Sequence, residues 1–361
     1  MQEALKIDIK QIMQFIADEK ITPSALSPFY AEEPVVNKGS KLDTASIPLV
    51  KVVCEPSVLV SARIISPDGM VVTRIYTDKR GQILVRHWLD KDGLHNFRQV
   101  QEKDIADEAA LRLMLDIPPT RLDVDTEMSE ASFCALLGLI DGWREKTLLS
   151  LIDRKPGGKF SFSVDDLYTA FRRSISSGDL RWLTPLVKEL YSGNLDVSPS
   201  VFKEAFQQII PKFVQADAQG MKLSLLGEEI CATLGAPLAA LKLTVSGIKN
   251  GAIVEDNMIG LRGMGIYCTV EFEENNRNVT LKNSSAPMIE LYIHSRLTEA
   301  LKASRESGAQ ESVQDSAQAV AASPESITGG NQAPAKKFCA ECGKPLKPGA
   351  KFCAGCGAKI Q

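Results

Sequence analysis

The eight cysteines of this chain divide by spacing. Cys339 and Cys342 make one C-x-x-C pair, and Cys353 and Cys356 make a second, with ten residues between the pairs. A C-x-x-C turn brings two thiolates within reach of one metal ion. Two such turns complete a tetrahedron around Zn²⁺ with Zn–S of about 2.3 Å. Gly343 and Gly357 follow the two pairs, as a tight knuckle with positive φ asks. Four protein ligands leave no open position for water or substrate, so the site reads as structural, not catalytic. A redox dithiol is the other use of C-x-x-C, but the βαβ context of such sites is missing. Phe338–Ile360 is too short to fold on an apolar core alone, so metal would supply most of its folding free energy.

With this spacing the end of the chain resembles the zinc-ribbon family, in the short form often appended to bacterial proteins. The resemblance implies Zn²⁺ as cofactor, held by Cys339, Cys342, Cys353 and Cys356. Phe338 and Phe352 stand just before each pair and would form a mini-core with Leu346 and Ile360. The other cysteines, Cys54, Cys134, Cys231 and Cys268, are scattered singly. They read as buried free thiols, which suits a reducing cytosol.

The remaining chemistry-bearing residues form no local site. His87, His95 and His294 match no metal spacing and read as surface or satisfied sheet positions. Gly260-Leu-Arg-Gly-Met-Gly265 has the wrong order for a dinucleotide loop and reads as a hairpin turn. Lys155-Pro-Gly-Gly-Lys159 lacks the Walker spacing and reads as a loop between helices. No serine sits in a G-x-S-x-G elbow. Carboxylates are plentiful, but nothing in the sequence pairs them, so no residue is assigned a catalytic role. An enzyme with a site assembled from distant segments is the third reading, after the two given below.

The elements around the cysteine tail follow from composition and period. At 361 residues, 44 % hydrophobic and 24 % charged, the chain is ordinary globular protein with room for two or three domains. The net charge of −3 hides an asymmetry: residues 336–361 carry six Lys against one Glu, while 303–335 carry one Arg against four acids. Six lysines could attract phosphate; solvated charge on a small surface is the plainer reading. No apolar run approaches the roughly 18 residues of a membrane span. Met1–Asp18 mixes charges with apolar residues and predicts an amphipathic helix, not a signal peptide. Residues 303–335 are rich in Ser, Ala, Gln and Glu with no aromatic residue, which predicts a disordered linker.

The body shows signs of duplication. Strands are predicted at Val58–Ser66, Met70–Thr77, Gln82–Leu89 and Leu94–Gln101, with turns at Pro67-Asp68-Gly69, Asp78–Gly81 and Asp92-Gly93, then a helix Asp104–Leu115 capped by Asp104. A second series runs Leu241–Val245, Ala252–Ile259, Ile266–Phe272 and Arg277–Lys282, then a helix from Ser284 or Ser285 to Lys302. Gly69 and Gly81 are twelve apart, as are Gly251 and Gly263, and the offset between series is 182 residues. Arg80-Gly81 then maps onto Arg262-Gly263, and Glu108 onto Glu290.

Between the series lies a helical stretch. Ser129 caps a helix Phe133–Ile152, and Ser163-Val-Asp-Asp166 forms a capping box. Leu180–Leu190 follows. Ser198-Pro199 opens a helix with Phe202, Phe206, Ile209, Ile210 and Phe213 at helical spacing. Met221–Leu223 reads as a short strand, and a helix starts at Leu226. This is the element order of a winged helix. Its would-be recognition helix offers only Lys203 and Lys212 against Glu204, and its would-be wing Asp217 and Lys222. DNA binding normally needs several cations on one face.

The fold class expected is α+β: two antiparallel β-meander-plus-helix units flanking a helical, winged-helix-like region, then a disordered linker and a C-terminal zinc ribbon. The expected divisions are 1–128, 129–236, 237–302, 303–335 and 336–361. The duplicated meander-plus-helix over roughly Val58–Leu115 and Leu241–Leu301 resembles the cytosolic chaperones of type VII (ESX) secretion. That resemblance implies a helical protein partner bound through the sheet region, with no binding residue assigned. The leading expectation is a cytoplasmic, non-enzymatic adaptor with a protein partner and no membrane role. The alternative is a DNA-binding regulator using the winged-helix-like region and the ribbon.

Overall fold

A computed structural model of the chain describes residues 4–303 apart from 33–40, 114–123, 155–159, 192, 194, 218–219, 250, 274–277 and 286. Residues 1–311 form one compact unit and 312–361 another. The second unit, with its four paired cysteines, lies outside the described residues, as does most of the expected linker. Lys155–Lys159 and the end of the helix expected to reach Leu115 lie outside them too.

In chain order the first half comprises β1 (Leu5–Ile7), α1 (Ile9–Asp18), α2 (Ser46–Cys54), β2 (Val58–Ser66), β3 (Gly69–Thr77), β4 (Leu84–Leu89), β5 (His95–Val100) and α3 (Glu102–Leu113). The second half repeats the plan with a larger helical region. It comprises β6 (Thr126–Ser129), α4 (Glu130–Ile152), α5 (Val164–Ser177), α6 (Leu183–Leu190), α7 (Pro199–Phe213), β7 (Val214–Asp217), β8 (Gly220–Leu223), α8 (Leu225–Leu234), β9 (Ala239–Lys249), β10 (Ala252–Gly263), β11 (Ile266–Glu273) and β12 (Asn278–Asn283). A last helix, α9, spans 287–303.

Apart from the β7–β8 pair, every one of these strands joins a single ten-stranded sheet of order β1-β5-β4-β3-β2-β9-β10-β11-β12-β6. The two meanders have the same order and meet at β2 and β9, which pair antiparallel from Val58–Gly247 to Ile65–Ala240. The strand that opens each half pairs with the last strand of its own meander: β1 with β5, and β6 with β12. The hairpin pair Ser66–Gly69 corresponds to Lys249–Ala252, one residue away from the correspondence expected from the glycines.

Strand alternation sorts the side chains between the two faces of the sheet. One face carries Val58, Val60, Ala62 and Ile64 of β2 beside Leu241, Leu243 and Val245 of β9. These pack with Ile105 and Leu113 of α3 and with Ile289, Ile293, Leu297 and Leu301 of α9. α3 lies across β2 and β9, Leu301 of α9 reaches Gly81 in the first meander, and Glu102 hydrogen-bonds His294 at 2.8 Å. Each helix therefore covers strands of both halves. On the other face, α1 and α2 cover Tyr76, Val85 and Phe97, and α4–α8 cover Ile259, Leu261, Val270 and Leu281.

Most helix starts sit where their caps predict. Ser129 accepts the Ser132 N–H at 3.1 Å, Ser163 and Asp166 form the reciprocal box, and Ser198 caps α7. Three expectations are corrected. Leu5–Ile7 is an edge strand, and the first helix starts only at Ile9, capped by Asp8. α3 begins at Glu102, and Asp104 lies inside it, its carboxylate accepting the Gln101 N–H at 2.9 Å. β10 runs on to Gly263 and the turn is Met264-Gly265, so Arg262 is a strand residue.

Candidate functional site

The helical region has the winged-helix order: α5, α6 and α7 lead into the β7–β8 hairpin, and Phe162 bridges to Met221 of that hairpin. α7 buries Phe202, Ala205, Phe206, Ile209 and Phe213. The polar side of its C-terminal half is engaged within the chain. Lys212 Nζ donates to the Asp125 carbonyl at 2.8 Å and to Thr126 Oγ1. Gln208 accepts from Ser132 Oγ at 2.7 Å. Exposed Lys203 has Glu204 beside it. A cationic face that could neutralise several phosphates is not formed by this helix.

On the sheet face shared by α3 and α9, a groove of about 1270 Å³ opens between α3, the β2–β3 hairpin and the start of β9. Val71, Val100, Leu113 and Leu238 give it apolar wall, and Arg86, Arg98 and Arg262 line it together with Asp104, Asp107 and Glu108 of α3. Arg86 is committed: its Nη1 meets Glu108 at 2.8 Å, and its Nη2 donates to Thr73 Oγ1 at 3.3 Å. Arg262 is different. It is 2 % exposed, yet its Nη1 reaches only the Ile266 carbonyl, at 3.3 Å, and its Nε has no protein partner. No carboxylate among the described residues pairs with it. Tyr267, its cross-strand neighbour, is also buried, and its hydroxyl lacks a partner; burial raises the phenol pKa. The sequence hid this arrangement. Ending β10 at Ile259 conceals that Met258, Gly260 and Arg262 alternate onto one face.

The other residues with possible chemistry are structural. His87 Nε2 and His95 Nδ1 lie 2.9 Å apart with their rings stacked, beside Phe29 and Phe97. Burial, then the neighbouring His95 and Arg74, push the His87 pKa down to about 4. Cys54, Cys134, Cys231 and Cys268 are free and buried. Burial raises every one of these thiols, to about 12 for Cys54, Cys134 and Cys268, which makes them poor nucleophiles. Asp141 of α4, fully buried, accepts the Leu183 and Thr184 N–H groups at 3.1 Å each and so caps α6 from outside; burial raises its pKa. Among the described residues no group of three or more His, Cys, Asp or Glu could hold a metal. No described helix is long and apolar enough to cross a membrane.

Residues 338–360 match the zinc-ribbon domain family. A zinc-ribbon domain implies zinc binding, and the four thiols at Cys339, Cys342, Cys353 and Cys356 are a donor set that fits tetrahedral Zn²⁺. The ion would be a fold-holding one, with no position left for substrate. No curated protein matches the chain. Among solved structures the chain is similar to the Mycobacterium tuberculosis type VII secretion system chaperone EspG5, determined in complex with a PE25–PPE41 dimer. The likeness has a TM-score of 0.43 at 11 % identity, over 84 % of this chain and 96 % of that one. At that level it fixes no correspondence between residues.

Proposed function

We propose that this is a cytoplasmic, non-enzymatic adaptor with a secretion-chaperone-like body and a structural zinc ribbon. The body holds a protein partner, and the ribbon, with Zn²⁺ on Cys339, Cys342, Cys353 and Cys356, supplies a second contact. The observation that supports this best is the zinc-ribbon match at 338–360, following a stretch without aromatic residues and a body that forms a separate compact unit. A tethered second module raises local concentration at a shared partner without adding contacts to the first. The engaged Lys212 and Gln208 on α7 weigh against DNA as that partner.

Affinity capture with the full chain, and with a chain ending at residue 335, tests the reading. One protein should be recovered in near-stoichiometric amount by the full chain and in lower yield by the shortened one. Recovery of nucleic acid instead, released steeply as salt is raised, would refute the adaptor and favour the regulator.

A further inference from the structure

The last two turns of α4 carry an exposed apolar face. Leu148, Leu149, Leu151 and Ile152 are 42 %, 53 %, 55 % and 74 % exposed, and the helical period sets them in one continuous arc. Thr147 and Ser150 stand on the opposite side, where their hydroxyls donate to the Trp143 and Thr147 carbonyls of the same helix. The arc continues the side by which α4 packs one or two turns earlier. Leu148 comes seven residues after Asp141, which caps α6, and Ile152 seven after Glu145, which pairs with Arg173 of α5. We propose that this face is covered by the same face of a second copy of the chain, the two α4 ends lying antiparallel about a two-fold axis.

The charges beside the arc select that occupant. Lys146 and Asp153 are also seven residues apart, so they share one flank of the apolar face. In an antiparallel pair centred between Leu149 and Ser150, Leu148 meets the partner's Leu151 and Lys146 meets the partner's Asp153. The two-fold axis makes each of these contacts twice. Both charges have reason to take such a partner. The described contacts of Lys146 are the Ser161 carbonyl and the Phe162 ring, neither of them an anion. Asp153 is exposed at the C-terminal end of α4, where a carboxylate opposes the helix dipole and a cation from outside relieves it. Four aliphatic side chains and one charge pair are a small contact beside the roughly 20–30 residues a side of a standard interface. The dimer is therefore a weak one, with Kd on the order of 10 µM. This inference goes beyond the adaptor reading and does not rest on it.

Sedimentation velocity of the full-length protein, from about 1 to 200 µM around that Kd, tests the proposal. The parent should pass from monomer to dimer over this range. Ile152→Glu should weaken the dimer about a hundredfold, since the symmetry removes two buried side chains at once. It should melt no lower than the parent, because Ile152 is exposed in the single chain. Lys146→Asp and Asp153→Lys each set like charges opposite one another twice, and each should weaken the dimer about tenfold. The double variant, with the two charges exchanged, should regain the parent's dimer. A chain that stays monomeric throughout would overturn the proposal, as would a dimer that Ile152→Glu leaves unchanged. A double variant no better than the single ones would overturn the antiparallel pairing. A lowered melting temperature of Ile152→Glu would show that the α4 end packs within its own chain, and would overturn it too. The capture experiment does not depend on the α4 end, so the two readings fail separately.

Discussion

Cys353 and His87 illustrate two ways in which one residue's ionisation is tied to folding. In a four-thiolate zinc site every thiol must be ionised and every ligand present, because metal binding and folding are one equilibrium. Cys353→Ser is expected to lose zinc, from one ion per chain to near none by metal analysis. The melting of residues 1–311 should not change, since that body is a compact unit of its own. Full zinc occupancy in the variant would refute the ligand assignment. His87 works the other way. Its folded pKa, about 4, lies below the ordinary 6.5, so the folded chain holds it neutral while the unfolded chain protonates. The stability it contributes is complete above pH 6.5 and is lost as pH falls towards 4, on the order of 3 kcal/mol over that window. His87→Phe, placed among Phe29, Tyr76 and Phe97, should remove that part of the acid sensitivity. Urea midpoints of parent and variant across pH 7 to 4 would check it; parallel declines would show that another group is responsible. The four candidate zinc ligands are legible in the sequence, because C-x-x-C is a local pattern. The sequence showed nothing of the His87–His95 contact, which depends on the pairing of β4 with β5.

Among the elements, the long α4 helix shows how close packing can override helix propensity. A Cβ on Gly138 would lie 2.9 Å from Phe202 Cζ, 3.1 Å from Phe171 Cβ and 3.2 Å from the Leu167 carbonyl. Alanine in an exposed helix interior gains about 1 kcal/mol over glycine, but here a backbone carbonyl, the Phe202 ring and the Phe171 Cβ would have to move, at about 1–3 kcal/mol. Gly138→Ala is therefore expected to destabilise by about 1 kcal/mol, measured by urea unfolding. At Gly178, the left-handed cap of α5 with φ +64° and open space beyond, alanine should cost a similar amount for a different reason. The cost there is backbone strain, and Asn, which tolerates that conformation, should recover most of it. Asn at Gly138 should be worse than Ala. Element starts were legible where a short polar side chain closes a local ring, as at Ser129, Ser163 and Ser198. They were misread where tertiary pairing decides. Leu5–Ile7 has the composition of a helical turn, but it becomes a strand because β5 offers Phe97, Asn96 and His95 as ladder partners.

At the scale of the molecule, the two meanders are not two domains sharing a border. β2 and β9 are the inner strands of one sheet, and the apolar cluster over them draws Val58, Val60 and Ile64 from one half and Leu241, Leu243 and Val245 from the other. The sequence revealed the repeat through turn spacing, yet could not reveal that its copies join edge to edge, because no local signal marks which strand is central. Cooperativity follows from the junction. A chain of residues 1–128 would expose the β2 edge, losing the ladder from Val58–Gly247 to Ile65–Ala240, and would leave α3 over half a core. An unpaired apolar edge strand templates aggregation, so this fragment is expected to be insoluble or unfolded. The fragment 129–311 would have the same defect at β9, and it would also lack β6, whose ladder partners are in β12. The whole body should instead melt in one transition, with far-UV circular dichroism and tryptophan fluorescence coincident. Co-expression should rescue the fragments when the cut is placed between residues 114 and 123, so that β6 stays with β12. If residues 1–128 prove soluble, folded and monomeric by sedimentation, the β2–β9 junction is a docking contact between independent halves, and the single cooperative core proposed for the body is wrong.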